Sequence, residues 1–193
     1  MLTDTNLKFS TYINQSIKII SRCESLDAEI KHVIEKCLIC LKNGGTIFWA
    51  GNGGSAAESQ HLSAELVGRF MQESIPFRSV ALTTDTSAIT AIGNDYGYEE
   101  VFSRQLTALA RQGDIVVTFS TSGRSKNILR LFQTARKMGV YSVLFTGEAR
   151  SASEYTCDIP ICVPSNETWH IQEAHTVLGH FICASIEYSL SGS

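Results

Sequence analysis

Five short strand-forming runs, at residues 46–50, 78–82, 115–119, 141–145 and 159–163, alternate along the chain with helical patterns. Strands this short and apolar, interleaved with helices, pair in parallel through crossovers that lay helices over both faces of a sheet. The expected fold is an α/β three-layer sandwich: a five-stranded parallel sheet of flavodoxin-like order with helices on both faces, behind an N-terminal helical extension. Ligands of such sheets bind beyond the carboxyl ends of the strands, where the strand order reverses. The turns after the first and third strands are therefore expected to face one crevice. Pro160 and Pro164 punctuate the fifth run and place it at a sheet edge.

Two helices are expected before the first strand, at 5–23 and 27–42. The second repeats Ile30, Val33, Ile34, Cys37, Leu38 and Leu41 at helical spacing and stops at Asn43-Gly44-Gly45. The first spreads Tyr12, Ile13, Ile17, Ile19 and Ile20 over more than one face, so it needs a second partner beyond its own domain, most simply another subunit. Helices are expected also at 55–67, 87–92, 102–110, 126–138 and 168–190, with a turn at 93–97. At 193 residues and 44% hydrophobic composition the chain suits one domain.

A formal charge of −3 with scattered basic residues leaves no nucleic-acid footprint. No apolar run reaches the ~18 residues of a membrane span, and the N-terminus lacks a signal-peptide pattern. The expected location is the cytoplasm. Six cysteines lie in apolar or helical patterns, as reduced core residues do. Cys37 and Cys40 form a CxxC, but mid-helix rather than at the helix start a redox motif uses.

The stretch 118–125, TFSTSGRS, reads as strand, hydroxyl-rich turn and helix. Such a turn aims backbone N–H groups and the positive end of a helix dipole at one spot, and Ser120, Thr121, Ser122 and Ser125 add side-chain donors. It suits a phosphate dianion. The competing reading is an ordinary helix cap, for which one hydroxyl suffices. After the first strand, Gly51-Asn52-Gly53-Gly54-Ser55 lacks the GxGxxG spacing of a dinucleotide site and reads as a turn against which a small ligand lies.

On the next helix His61 and Glu65 are four residues apart, hence on one face, as a divalent metal or a solvated helix surface would equally have them. The last helix carries His170, Gln172, Glu173, His175 and His180. Surface polarity accounts for His170 and Glu173. Gln172 and His180 stand about 12 Å apart along a straight helix. They meet at one metal only by leaning together, through a bend, or by serving sites in different subunits.

The segments GNGGSAAESQHLSAELVGRF from Gly51, AIGNDYGYEEVFSRQ from Ala91, GDIVVTFSTSGRSKN from Gly113 and IQEAH from Ile171, with His180 beyond, resemble the phosphoheptose isomerases of the sugar isomerase (SIS) group. The resemblance covers nearly the whole chain. It implies one SIS domain over 1–193, with residues 1–43 used in oligomerisation, and a homotetramer whose active sites lie between subunits. It further implies a zinc ion per subunit on His61, Glu65, Gln172 and His180, and Glu65 and His180 as the catalytic pair.

The substrate would meet Ser120, Thr121, Ser122 and Ser125 at its phosphate, and Asn52, Gly53, Gly54, Ser55, Asn94 and Asp95 along the sugar, with Glu65 and Gln172 also in reach. The implied reaction converts sedoheptulose 7-phosphate to D-glycero-D-manno-heptose 7-phosphate through an enediol or enediolate, opening nucleotide-activated heptose synthesis for lipopolysaccharide or capsule. Partners expected are the sugar phosphate and further copies of the chain, with no nucleic acid and no membrane. The competing classes are a non-catalytic phosphosugar-binding or adaptor module, whose known relative lacks the Glu65 and His180 equivalents, and an isomerase of another sugar phosphate. Trp169-His170 departs from the charged residues relatives often carry there.

Overall fold

The computed structural model describes residues 8–148 and 156–191. Its order is α1 (Phe9–Arg22), a 3-10 turn, α2 (Asp27–Lys42), β1 (Ile47–Gly51), α3 (Gly54–Val67), β2 (Ser79–Ala81), α4 (Thr86–Tyr96), a second 3-10 turn, α5 (Val101–Leu109), β3 (Ile115–Phe119), α6 (Lys126–Met138), β4 (Tyr141–Thr146), β5 (Ile159–Cys162) and α7 (Thr168–Ser191). Positions 5–7 of the expected first helix lie outside the described residues.

All five strands are parallel, in the order β2-β1-β3-β4-β5, the flavodoxin-like arrangement. Side chains alternate across each strand and build two cores. Ile47, Trp49, Val117, Phe119 and Phe145 pack under α2, α3 and α7, while Phe48, Val116 and Leu144 pack under α5 and α6. Pro160 sits in the edge strand β5, where its missing N–H costs no ladder bond. Among the described residues no helix is long and apolar enough to cross a membrane.

One boundary differs instructively from expectation. The turn expected at 93–97 is helix as far as Tyr96. Asp85 caps α4 by accepting from the Ala88 N–H, and the helix carries through Gly93, whose cost of about 1 kcal/mol does not break it. The stop is Gly97, at φ +87°. The first helix is apolar on two sides, as its residues suggest: Ile19 turns toward the core, and Phe9 78%, Ile13 39% and Ile17 57% are exposed.

The sheet sets up the site. Order reverses between β1 and β3, whose last residues Gly51 and Phe119 are in register. The turns that follow both strands thus leave the sheet side by side. Gly51 admits no side chain, because a Cβ there would lie 2.4 Å from the Ser55 carbonyl oxygen.

Candidate active site

The two turns are joined by a reciprocal amide pair. Asn52 donates to Asn127 Oδ1 at 3.0 Å, Asn127 donates back at 2.8 Å, and the Tyr98 hydroxyl donates to Asn52 Oδ1 at 3.1 Å. Asn127, buried in the first turn of α6, is a residue sequence reasoning passed over. Its signal was an amide placed just behind the serine turn.

In that turn, Ser125 occupies the N-cap position of α6 with extended backbone, yet its hydroxyl makes no capping bond. It lies 3.1 Å from the Ser120 hydroxyl instead. The Arg124 N–H reaches Ser122 Oγ at 3.3 Å, and Gly123 takes φ +63°. Simple capping therefore does not account for the Ser125 hydroxyl. Thr121 and Ser122 border a cavity of about 230 Å³ with Arg124, Thr146 and Asn166.

Along α3, the helices α3 and α7 run side by side and in step. Gly54 faces the Gln172 amide, Glu58 accepts from the Thr176 hydroxyl at 2.9 Å, and His61 meets His180. Gly179 makes this approach possible, since a Cβ there would stand 2.4 Å from Leu62 Cδ1. The result brings His61, Glu65 and His180 together, with one ligand atom of each within 4.8 Å of the others. His61 Nε2 is 2.7 Å from His180 Nε2, and His61 Nδ1 is 3.4 Å from Glu65 Oε1. Two imidazole lone pairs cannot face each other so closely without a proton or a cation between them.

Gln172 does not join this group within the chain. Because α7 is one unbroken helix, Gln172 stays about 12 Å from His180 along its axis. It borders instead a cavity of about 360 Å³ with Gly54, Ser55, Glu58, Trp169 and His175. Asn94 and Asp95, linked by a 2.8 Å hydrogen bond, stand exposed on the last turn of α4.

His170 and Glu173 are not the surface polarity expected of them. His170 is only 2% exposed, with Nδ1 3.0 Å from Glu173 Oε2 and 3.2 Å from Ser16 Oγ, and Tyr12 bonds to the same carboxylate. Burial raises the Glu173 carboxyl, but the bonds from His170, Tyr12 and Ser16 outweigh it and hold it below the usual range. The cluster ties α1 to α7 beside Gln172. Helical periodicity alone could not reveal it, because α1 covers a face of α7 that would otherwise meet water.

All six cysteines are free, and the CxxC pair is buried. Cys183, beneath the histidines, is pushed up to about 12, by burial first and then by Glu65. A thiol so protonated is inert. His175, packed against Phe119 and Phe145, is lowered to about 4 by burial, against the opposing bond to the Thr146 carbonyl. Both states are neutral above the unfolded value of ~6.5. As pH falls from there toward 4 only the unfolded chain takes up the proton, so stability should drop by about 1.4 kcal/mol per pH unit. Urea titrations at pH 7 and pH 5 should show that loss, and His175→Leu should remove this share of it.

Residues 11–147 match the SIS domain family. The chain is 46% identical to the phosphoheptose isomerase of Burkholderia pseudomallei strain K96243, covering 94% of this chain and 96% of that one. It is 47% identical to the Akkermansia muciniphila enzyme of the same name, over 87% and 89%. Among solved structures it is similar to the phosphoheptose isomerases of Neisseria gonorrhoeae (39% identity, TM-score 0.85, 93% and 96% covered) and Francisella tularensis (34%, 0.90, 96% and 100%).

Proposed function

Given that the chain belongs to the phosphoheptose isomerases of the SIS domain family, we propose that it interconverts sedoheptulose 7-phosphate and D-glycero-D-manno-heptose 7-phosphate in the cytoplasm, opening nucleotide-activated heptose synthesis. The observation that carries this reading is the convergence of Glu65 and His61 of α3 with His180 of α7, α3 leaving β1 beside the serine turn that leaves the neighbouring strand β3.

Isomerisation moves one proton between neighbouring carbons and another between their oxygens. The serine turn holds the phosphate far from the reacting carbons and so supplies orientation. Asn52, held by Asn127 and Tyr98, together with Gly53, Gly54 and Ser55, lines the path of the sugar chain, as do Asn94 and Asp95. Glu65 takes the proton from C1 of the ketose and returns it at C2, passing through the enediol or enediolate. His180 exchanges the oxygen proton.

The donor set suits a zinc ion: two imidazoles and a carboxylate whose ligand atoms lie within 4.8 Å of one another. His61, Glu65 and His180 would hold it, and Gln172, about 12 Å from His180 along α7, would be the fourth ligand only if another subunit supplied it. When bound, zinc would polarise the carbonyl and stabilise negative charge on its oxygen. A carboxylate shared with a metal is a weaker base, so Glu65 must leave the ion in turnover or the ion is partly structural.

A homotetramer with sites between subunits fits two observations. Phe9, Ile13 and Ile17 leave an apolar face on α1. The groove of about 540 Å³ between the N-terminal helices and α7, lined by Ile20, Ile30, Val177 and Phe181, is likewise apolar. In an assembly, Gln172 and His180 need not serve the same site. The partners of this reading are the sugar phosphate and further copies of the chain, with neither nucleic acid nor membrane.

Incubating the purified protein with sedoheptulose 7-phosphate, with and without a chelator, tests the proposal. Aldose product is expected, reduced by the chelator and restored by zinc. No product in either arm would favour the phosphosugar-binding adaptor.

A further inference from the structure

Beyond the residues assigned so far, α7 carries a buried carboxylate two turns past His180. Glu187 is 3% exposed and lies on the stripe that includes Cys183 and Ile186, where an apolar residue would serve packing as well. Among the described residues it forms no ion pair. Its oxygens accept three successive backbone N–H groups of the segment after α3: Phe70 at 3.1 Å, Met71 at 2.8 Å and Gln72 at 3.1 Å. Consecutive N–H groups converging on one anion form a nest, and an ionised acceptor strengthens each bond. Between these bonds and the buried Phe77, whose N–H reaches the Leu66 carbonyl at 2.9 Å, Met71 and Ile75 are exposed.

The segment delivers one side chain to the candidate site. The Phe70 ring stacks on His180, with centroids 5.2 Å apart and planes at 29°. His180 also meets His61 edge-on, with centroids 4.9 Å apart and planes at 76°. A half-exposed histidine on a helix has several staggered rotamers open to it. The Phe70 face selects the one that aims Nε2 at His61. Glu187 is seven residues from His180, about 10 Å along the helix, so it acts only through the segment.

We propose that Glu187, through the 70–72 backbone and the Phe70 ring, sets the orientation of the His180 imidazole. Glu187 and Phe70 are thus positioning residues, and their role in turnover rests on the isomerase reading above. Glu187→Gln keeps the shape but turns one acceptor into a donor facing N–H groups, and Phe70→Leu removes the stacking face while leaving the nest intact.

The test is the imidazole ¹H–¹⁵N correlation spectrum of the full-length protein, with His180 assigned by its loss in His180→Gln. Both variants should shift or broaden the His180 resonances, whereas Phe70→Tyr, which keeps the ring, should retain them. In the same variants kcat should fall about 10- to 100-fold, as for a slightly misplaced catalytic group, with KM changing far less. Loss of the Phe70 ring current alone moves nearby proton shifts, so the deciding readout is the His180 imidazole ¹⁵N shifts, which report the Nε2 contact with His61. ¹⁵N shifts that match the parent's in folded Phe70→Leu would overturn the proposal, and that variant decides it even where Glu187→Gln fails to fold. A parent protein without turnover would instead overturn the isomerase reading, while the spectra still decide the positioning role.

Discussion

Glu65→Gln should lower turnover of sedoheptulose 7-phosphate by about two to four orders of magnitude, the share a positioned general base contributes, while the fold and sugar-phosphate binding persist. The substitution is nearly isosteric on a helix whose packing rests on Leu62 and Leu66, which point to the core. What disappears is the carboxylate that faces His61 at 3.4 Å and shares a ligand cluster with His180. Product formation followed by NMR, beside calorimetric titration of the sugar phosphate, separates the two effects. Near-normal turnover removes Glu65 as the base. Tight binding with no turnover supports it.

Ser120→Ala combined with Ser122→Ala is expected to act at the opposite end of the substrate. Hydrogen bonds to a charged group are each worth about 1.5–3 kcal/mol, so losing two should reduce kcat/KM by about 10²-fold or more, chiefly through KM. The loss should spare kcat, because the phosphate lies away from the reacting carbons. Ser120 is buried and held against Ser125, so the double variant also needs a thermal melt to show that the turn survives. Steady-state kinetics with inorganic phosphate as a competitor gives a second reading, since weaker competition should accompany the higher KM. An unchanged KM would move the phosphate elsewhere on the molecule.

Strand and helix identities were legible because period-two and 3.6-residue apolar patterns differ over even five to twelve residues. The edge position of β5 followed from Pro160, and the parallel pairing from the alternation of strands and helices, while the flavodoxin-like order was the choice among doubly wound arrangements that the structure bears out. The turn expected at 93–97 failed because a glycine inside a capped helix carries only a modest cost. His170 and Glu173 were misread because a polar pair on a helix looks the same whether it meets solvent or, as here, Tyr12 and Ser16 of another helix.

The sequence by itself determined the strand and helix segments, the hydroxyl-rich turn and the pairing of His61 with Glu65, all of which rest on patterns among residues close along the chain. It could not decide which residues from distant segments meet. That required the close approach of α3 and α7 at Gly179, which carries His180 to His61 and leaves Gln172 two turns away beside Gly54. It likewise required the fold to bring Asn127 to Asn52, and Glu187 to the backbone of Phe70. The physical reason is that helix and strand patterns are encoded locally. Contacts across 75 to 119 residues, such as Asn52 with Asn127 and His61 with His180, depend on how packed elements slide and approach, which no spacing rule records.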